Sequence, residues 1–129
     1  MLQVVDVRFA WDEVLPLIDS VRVASGSDWR CEDVYASCLA GDSTMLVPQE
    51  VGAGILVIST EINKFTLEKF LFIWVCYSKD SNAQQRFMDT LVEIAKQEAC
   101  AYIEMQSHRV GFMKSKDWKS CATIYRKEV

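Results

Sequence analysis

The chain is predicted to be α/β, with one mixed sheet flanked by helices and elements in the order β-α-α-β-β-β-α-β-α-β. Two stretches carry that prediction. Phe70 to Cys76 is seven consecutive apolar residues, a strand pattern with both faces covered. It runs through a polar loop, Tyr77 to Asn82, into a helix-period segment that ends near Cys100, making a strand, loop and helix unit. Composition adds a third observation. The 129 residues are 50% hydrophobic and 25% charged, ordinary values for a single globular domain spanning 1–129.

Taken in order, residues 2–9 read as a strand, because Val5, Val7 and Phe9 alternate with Asp6 and Arg8. Asp12 is expected to cap a helix to about Ala24, with Val14, Ile18 and Val21 on one face and Pro16 in its first turn. Gly26-Ser27-Asp28 ends it. A second helix is expected over Cys31–Ala40, with Val34 and Cys38 inward and Gly41 as its C-cap. Strands follow at Thr44–Val47, before a turn at Pro48, and at Gly54–Ile62. An Asn63-Lys64 turn leads into a strand over about Leu67–Tyr77. The next helix covers about Asn82–Ala99, with Phe87, Leu91, Ile94 and Ala95 at core spacing. Ala101–Gln106 alternates as a strand. A short helix at Arg109–Lys116 and a last strand at Cys121–Lys127 complete the pattern.

Bulk properties exclude several function classes. The longest apolar run is far shorter than the roughly 20 residues of a membrane span, and MLQVVDVRFAW lacks the basic flank of a signal peptide. A cytoplasmic location is therefore expected. The net charge of −4 argues against a nucleic-acid binder. Residues 1–65 carry −6 and residues 66–129 carry +2, a distribution that suits a cationic substrate beside an anionic cofactor. Five scattered cysteines without a CxxC pair read as reduced, small hydrophobes rather than a disulfide framework or zinc site. No P-loop is present, and no Ser or Cys is marked by a local motif as a nucleophile that His108, the one histidine, would serve.

Particular segments resemble the GNAT superfamily of N-acetyltransferases over essentially the whole chain. "GILVIS" turning back into "FLFIWVCYS" is similar to that family's third and fourth strands. "LVEIAKQEACAYIEMQS" is similar to its central helix and fifth strand, a segment that often reads "AKERGC" before apolar alternation. "IWVCYS" together with "GFMKSKDW" most resembles small GNAT-like proteins of tailed phages.

The resemblance implies acyl-CoA in a gap between the fourth and fifth strands. The backbones of Val75 and Tyr77 would hold pantetheine, and the loop Lys79-Asp80-Ser81-Asn82-Ala83-Gln84 would hold the pyrophosphate at a helix N-terminus. That loop departs from the family's Q/R-x-x-G-x-G/A pattern. Lys79 keeps the positive charge, no glycine is left, and Asp80 adds a negative one. The family's acid position falls on Met113, which donates no proton, so Tyr77 and Tyr125 stand as substitutes. Glu68 and Glu61, near the ends of the middle strands, are the candidate bases. His108 follows the fifth strand and reads as a surface residue. Arg109, Lys114, Lys116, Lys119, Arg126 and Lys127 read as a solvated basic face that part of a CoA 3′-phosphate would meet. Trp29, Trp11 and Tyr35 sit on the family's acceptor side, where exposure would mean recognition and burial would mean core.

Two functions follow from the resemblance. One is transfer of acetyl from acetyl-CoA to an amine on a protein or small molecule. The other is a GNAT-fold binding module without catalysis, such as a phage virion component or an inhibitor of a host factor. They place the chain in a host cytoplasm or a virion.

Overall fold

A computed structural model describes residues 2–50, 52–80, 83–106 and 118–129. Its elements are β1 (Leu2–Val5), α1 (Val7–Ser25), α2 (Cys31–Ala40), β2 (Thr44–Pro48), β3 (Gly54–Ile62), β4 (Lys69–Ser78), α3 (Ala83–Gln97) and β5 (Tyr102–Met105). They build a five-stranded sheet in the order β1-β2-β3-β4-β5, antiparallel except for the parallel β4–β5 pair. This is the mixed sheet with flanking helices that the sequence predicts.

Alternation along the strands feeds two cores. Ile55, Val57 and Val75 face α1 and α2, meeting Val14, Ile18 and Val34. Leu56, Ile58, Leu71 and Ile73 face the other way, meeting Leu91 and Ala95 of α3. β4 is thus an interior strand, as its apolar run requires. Only Leu71, Ile73 and Val75 on it are fully buried, and the residues between them are half-buried.

Five local expectations are corrected. The first strand stops at Val5, because Asp6 takes an extended conformation and its carboxylate accepts the Arg8 N–H at 2.9 Å. Asp6 rather than Asp12 therefore caps α1. Pro16 then lies in mid-helix instead of the first turn, where it removes one intrahelical bond. Burial of Leu17 and Ile18 beside it holds that turn in place. Leu67 is not the first residue of β4. It takes a left-handed turn conformation (φ 63°) at the hairpin end, where the Asn63 side chain accepts the N–H groups of Phe65 and Thr66. Residues 121–127 form no strand. This segment is exposed and irregular, and Arg126 ties it to Asp28 in the α1–α2 connection at 2.7 Å. The expected helix at Arg109–Lys116 lies outside the described residues.

Helix ends follow the sequence more closely. Gly26 and Gly41 terminate α1 and α2 in left-handed conformations (φ 62° and 83°), satisfying the last carbonyls. At the start of α2 the Asp33 carboxylate accepts the Arg30 N–H at 2.8 Å.

Candidate functional site

β4 and β5 run together for four residue pairs, Phe70↔Tyr102 to Ile73↔Met105. β5 then ends, and Gln106 lies outside any strand. β4 continues through Ser78 and pairs only with β3 among the described residues. Pairing of the two strands thus ends at Ile73, a fork only in the sense that β4 runs on past the end of β5.

A β-bulge sits at the fork. Val57 is opposite Val75 while Ile58 is opposite Ile73, so Trp74 is an extra residue on β4. It reverses the strand's alternation. Ile73 packs on the α3 side and Val75 on the α1–α2 side, although both positions are odd. The same slip redirects the main chain. The Asn63 N–H donates to the Glu68 carbonyl at 2.8 Å, and the Lys79 N–H donates to the Ala53 carbonyl at 2.9 Å. Antiparallel hydrogen bonding alternates from each of these ends. Phe70 and Phe72 before the bulge, and Val75 and Tyr77 after it, therefore turn their main-chain groups toward β3. Past the fork it is Cys76 whose main chain points to the β5 side. The main-chain groups of Val75 and Tyr77 are thus turned toward β3 rather than toward the β5 side.

The far end of β4 meets the start of α3. Gly54 makes that approach close. A Cβ on it would lie 2.7 Å from the Tyr77 carbonyl oxygen and 3.2 Å from the Phe87 ring of α3. Two donors of the following loop are already engaged: the Lys79 N–H by Ala53, and the Asp80 N–H by the Ser78 hydroxyl at 3.2 Å. The Ser78 hydroxyl in turn donates to the Asp80 carbonyl at 2.8 Å. Ala83 and Gln84 occupy the first turn of α3, where backbone N–H groups lack intrahelical partners. Ser81 and Asn82 lie outside the described residues, as do His108 and Met113.

Glu68 and Tyr77 are not brought together. They stand nine positions apart, Glu68 just before β4 and Tyr77 next to its last residue, about 30 Å. Glu68 is exposed at the hairpin end, and the Tyr77 side chain packs against the α1–α2 core. Glu61 is exposed and accepts the Ser59 hydroxyl at 3.0 Å. Tyr125 is exposed in the irregular C-terminal segment. Trp11, Trp29 and Tyr35 are half-buried against the core, Trp11 edge-on to Tyr35 at 4.9 Å and Trp29 edge-on to the bulged Trp74 at 5.8 Å.

One carboxylate at the fork went unremarked in sequence. Ile103 and Met105 pack on the α3 side, so Glu104 between them faces the opposite side, beside Phe72 and one residue before pairing ends. It is exposed. The clean alternation of 101–106 marked it as outward-facing, but only the position of the fork gives it a neighbourhood.

Burial pushes the Cys38 thiol up to about 11 and raises that of Cys31 too, which leaves both as protonated packing groups. Among the described residues no three His, Cys, Asp or Glu side chains cluster to hold a metal. Nor is any described helix long and apolar enough to cross a membrane.

Solved structures share this architecture over nearly their whole length. A protein from Pyrococcus furiosus matches with a TM-score of 0.74 at 14% identity, covering 100% of both chains. The fold is GNAT-like. A ribosomal-protein-alanine N-acetyltransferase from Brucella melitensis matches with a TM-score of 0.65 at 17% identity, covering 97% of this chain and 99% of that one. An aminoglycoside acetyltransferase from an uncultured soil metagenomic sample matches with a TM-score of 0.66 at 10% identity, covering 100% and 96%. No protein-family model matches the chain. No curated protein matches it by sequence.

Proposed function

We propose that the chain is an acetyl-CoA-dependent N-acetyltransferase acting on an amine of a protein or small molecule by direct transfer. The observation that carries this reading is the end of the β4–β5 pairing: β4 runs past the end of β5 at a bulge, and its last residues lie near Phe87 at the start of α3. Structural likeness to acetyltransferases supports it.

Acetyl-CoA, when bound, supplies an activated thioester carbonyl and a thiolate leaving group. This chain's residues do the rest. An extended, amide-bearing arm would lie alongside β4 from Trp74 to Ser78, beyond its pairing with β5. The first turn of α3, with Ala83 and Gln84 preceded by Ser81 and Asn82, directs N–H groups and the positive helix end at a pyrophosphate. The Lys79 side chain adds a cation. Glu104 stands in the acceptor's path on the α1–α2 side and takes the proton from the ammonium, directly or through water. We assign it this role in place of Glu68, which lies about 20 Å from the bulge along β4. Tyr77, three residues beyond the bulge, is the hydroxyl that returns a proton to the thiolate. The whole of 1–129 works as one domain in a host cytoplasm or virion.

A second reading, a GNAT-fold binding module without catalysis, draws on the loop. The N–H groups of Lys79 and Asp80 are spent on Ala53 and Ser78, and the Asp80 carboxylate opposes phosphate.

Thermal unfolding with increasing acetyl-CoA separates the two. A ligand of the native state raises Tm in step with the logarithm of its concentration. The enzyme reading expects that rise, and Lys79→Glu should abolish it. It further expects Glu104→Gln to keep the rise and lose about 10²–10⁴ in kcat toward an amine acceptor. No rise at millimolar acetyl-CoA would sink the enzyme and leave the binding module.

A further inference from the structure

The surroundings of Glu104 restrict the kind of amine that could come to it. Across the sheet, Glu61 of β3 lies opposite Phe70 of β4, and Phe70 lies opposite Tyr102 of β5. In the next row Ser59 lies opposite Phe72, and Phe72 opposite Glu104. Side chains opposed across a ladder share a face, and Leu71, Ile73, Ile103 and Met105 take the α3 face. The two rows therefore share the other face. Phe70, Phe72 and Tyr102 are only half-buried there and belong to neither core. Phe70 and Tyr102 stack with ring centroids 5.0 Å apart and planes 8° apart. The Asn63 amide donates to the Tyr102 hydroxyl at 3.0 Å, and the Ser59 hydroxyl donates to the Glu61 carboxylate at 3.0 Å, so both flanks of the stack are held. No ion pair among the described residues involves Glu61 or Glu104. Lys69, at the start of β4, turns to the α3 face, where Glu98 holds it at 3.3 Å.

Given the transfer reading, on which this inference rests, we propose that the amine acceptor is a linear polyamine lying across these two rows. Its distal ammonium sits between the Glu61 carboxylate and the Phe70 ring, and its reacting nitrogen reaches Glu104. Glu61 and Glu104 are two strands and two residues apart, which sets their Cα atoms about 12 Å from each other, a span that a polyamine covers. Charge and geometry select this chemistry. Unpaired carboxylates beside aromatic rings attract ammonium groups through Coulomb and cation–π terms. The main-chain groups of a sheet bond within its plane, so its face offers side chains alone. The aromatic floor therefore gives methylenes an apolar contact and gives the amides of a peptide no partner. In the reaction Glu104 takes one proton of the ammonium, the nitrogen bonds the acyl carbon, the C–S bond breaks, and the sulfur receives the second nitrogen proton through Tyr77. Glu61 takes no proton. It selects acceptors that carry a second cation.

Titration calorimetry with spermidine, in the absence of acetyl-CoA, tests the site apart from the reaction. The expected result is saturable binding that Glu61→Gln weakens about tenfold. That variant keeps an oxygen to accept the Ser59 hydroxyl, and its side chain is exposed, so the fold is retained. Glu93→Gln, which removes the same charge from the exposed side of α3, should leave binding unchanged. In assays with acetyl-CoA, Glu61→Gln should raise KM for spermidine about tenfold at unchanged kcat, and lower the preference for spermidine over butylamine by the same factor. No binding of spermidine overturns the proposal. So does equal weakening by Glu61→Gln and Glu93→Gln, which would show attraction to net charge alone, and so does a lysine peptide acetylated faster than spermidine. Absence of a Tm rise with acetyl-CoA, beside spermidine binding that depends on Glu61, would sink the transfer reading and keep the polyamine site.

Discussion

Ala99 holds a left-handed conformation (φ 56°) just past α3, where the Cys100 N–H reaches back to the Ala95 carbonyl at 2.8 Å. Helices commonly end this way on glycine, since a Cβ there costs about 1 kcal/mol. Ala99→Gly is accordingly expected to stabilise the protein by about 1 kcal/mol, raising Tm by roughly 3–5 °C. Differential scanning calorimetry checks it. Asp6 offers a second test at this scale. The Arg8 side chain, then the Arg8 N–H, hold its carboxyl below the usual 3.8. A depressed folded value stabilises above the unfolded value and loses that contribution as pH falls through the folded one. Asp6→Asn should lower Tm at neutral pH and flatten the Tm profile below about pH 4. An unchanged acid limb would show that the pair contributes nothing there. Asp6 is also where sequence reading slipped. Val5, Val7 and Phe9 do alternate, but Val7 opens the helical series Val7, Val14, Leu17, Ile18, whose buried members show the true period. The tail of a strand and the head of a helix imitated one longer strand.

Among the elements, β4 shows most clearly what a sequence carries. Its seven apolar residues identify an interior strand, and the helix after it marks the end where the proposed acetyl-CoA would sit. Because every position from Phe70 to Cys76 is apolar, no alternation marks where one extra residue reverses the faces. The bulge at Trp74 was therefore invisible, and with it the turn of the Val75 and Tyr77 main chains toward β3. Glu104 was legible as an outward residue and unreadable as part of a fork, since the fork is a fact about two strands. Residues 121–127 teach the converse. They have strand-like residues, yet no described neighbour pairs with them, and β propensity needs a neighbour to act on. The β3–β4 pair yields a prediction of its own. Gly54→Ala places a Cβ against the Tyr77 carbonyl and the Phe87 ring, both on rigid elements. We expect a loss of about 2 kcal/mol from overpacking. Because the same contact sets the start of α3 against the end of β4, the Tm rise that the proposed function expects with acetyl-CoA should shrink too. Urea unfolding with and without acetyl-CoA separates the two effects. A stability loss with an unaltered acetyl-CoA response would detach Gly54 from the site.

For the molecule as a whole, the sheet is the one component both cores share. Ile18 on the α1–α2 side and Leu91 on the α3 side are each fully buried, and the strands β3 and β4 supply alternate residues to both clusters. Truncating either side chain leaves a cavity whose cost is about 2–5 kcal/mol. Ile18→Ala and Leu91→Ala lie on opposite faces of a sheet, with no shared side-chain partner in their clusters. Their costs should therefore add to within about 0.5 kcal/mol. Yet neither core can melt alone, because loss of the α3 layer exposes Leu56, Ile58, Leu71 and Ile73 on the strands that hold Ile55, Val57 and Val75 for the other layer. Each variant should accordingly unfold in a single calorimetric transition with equal van't Hoff and calorimetric enthalpies. Two resolved transitions in either variant would mean that α3 and its fork-facing strand edge open independently of the α1–α2 layer. If acetyl-CoA binds as proposed and needs both layers in place, it should then raise whichever transition comes first.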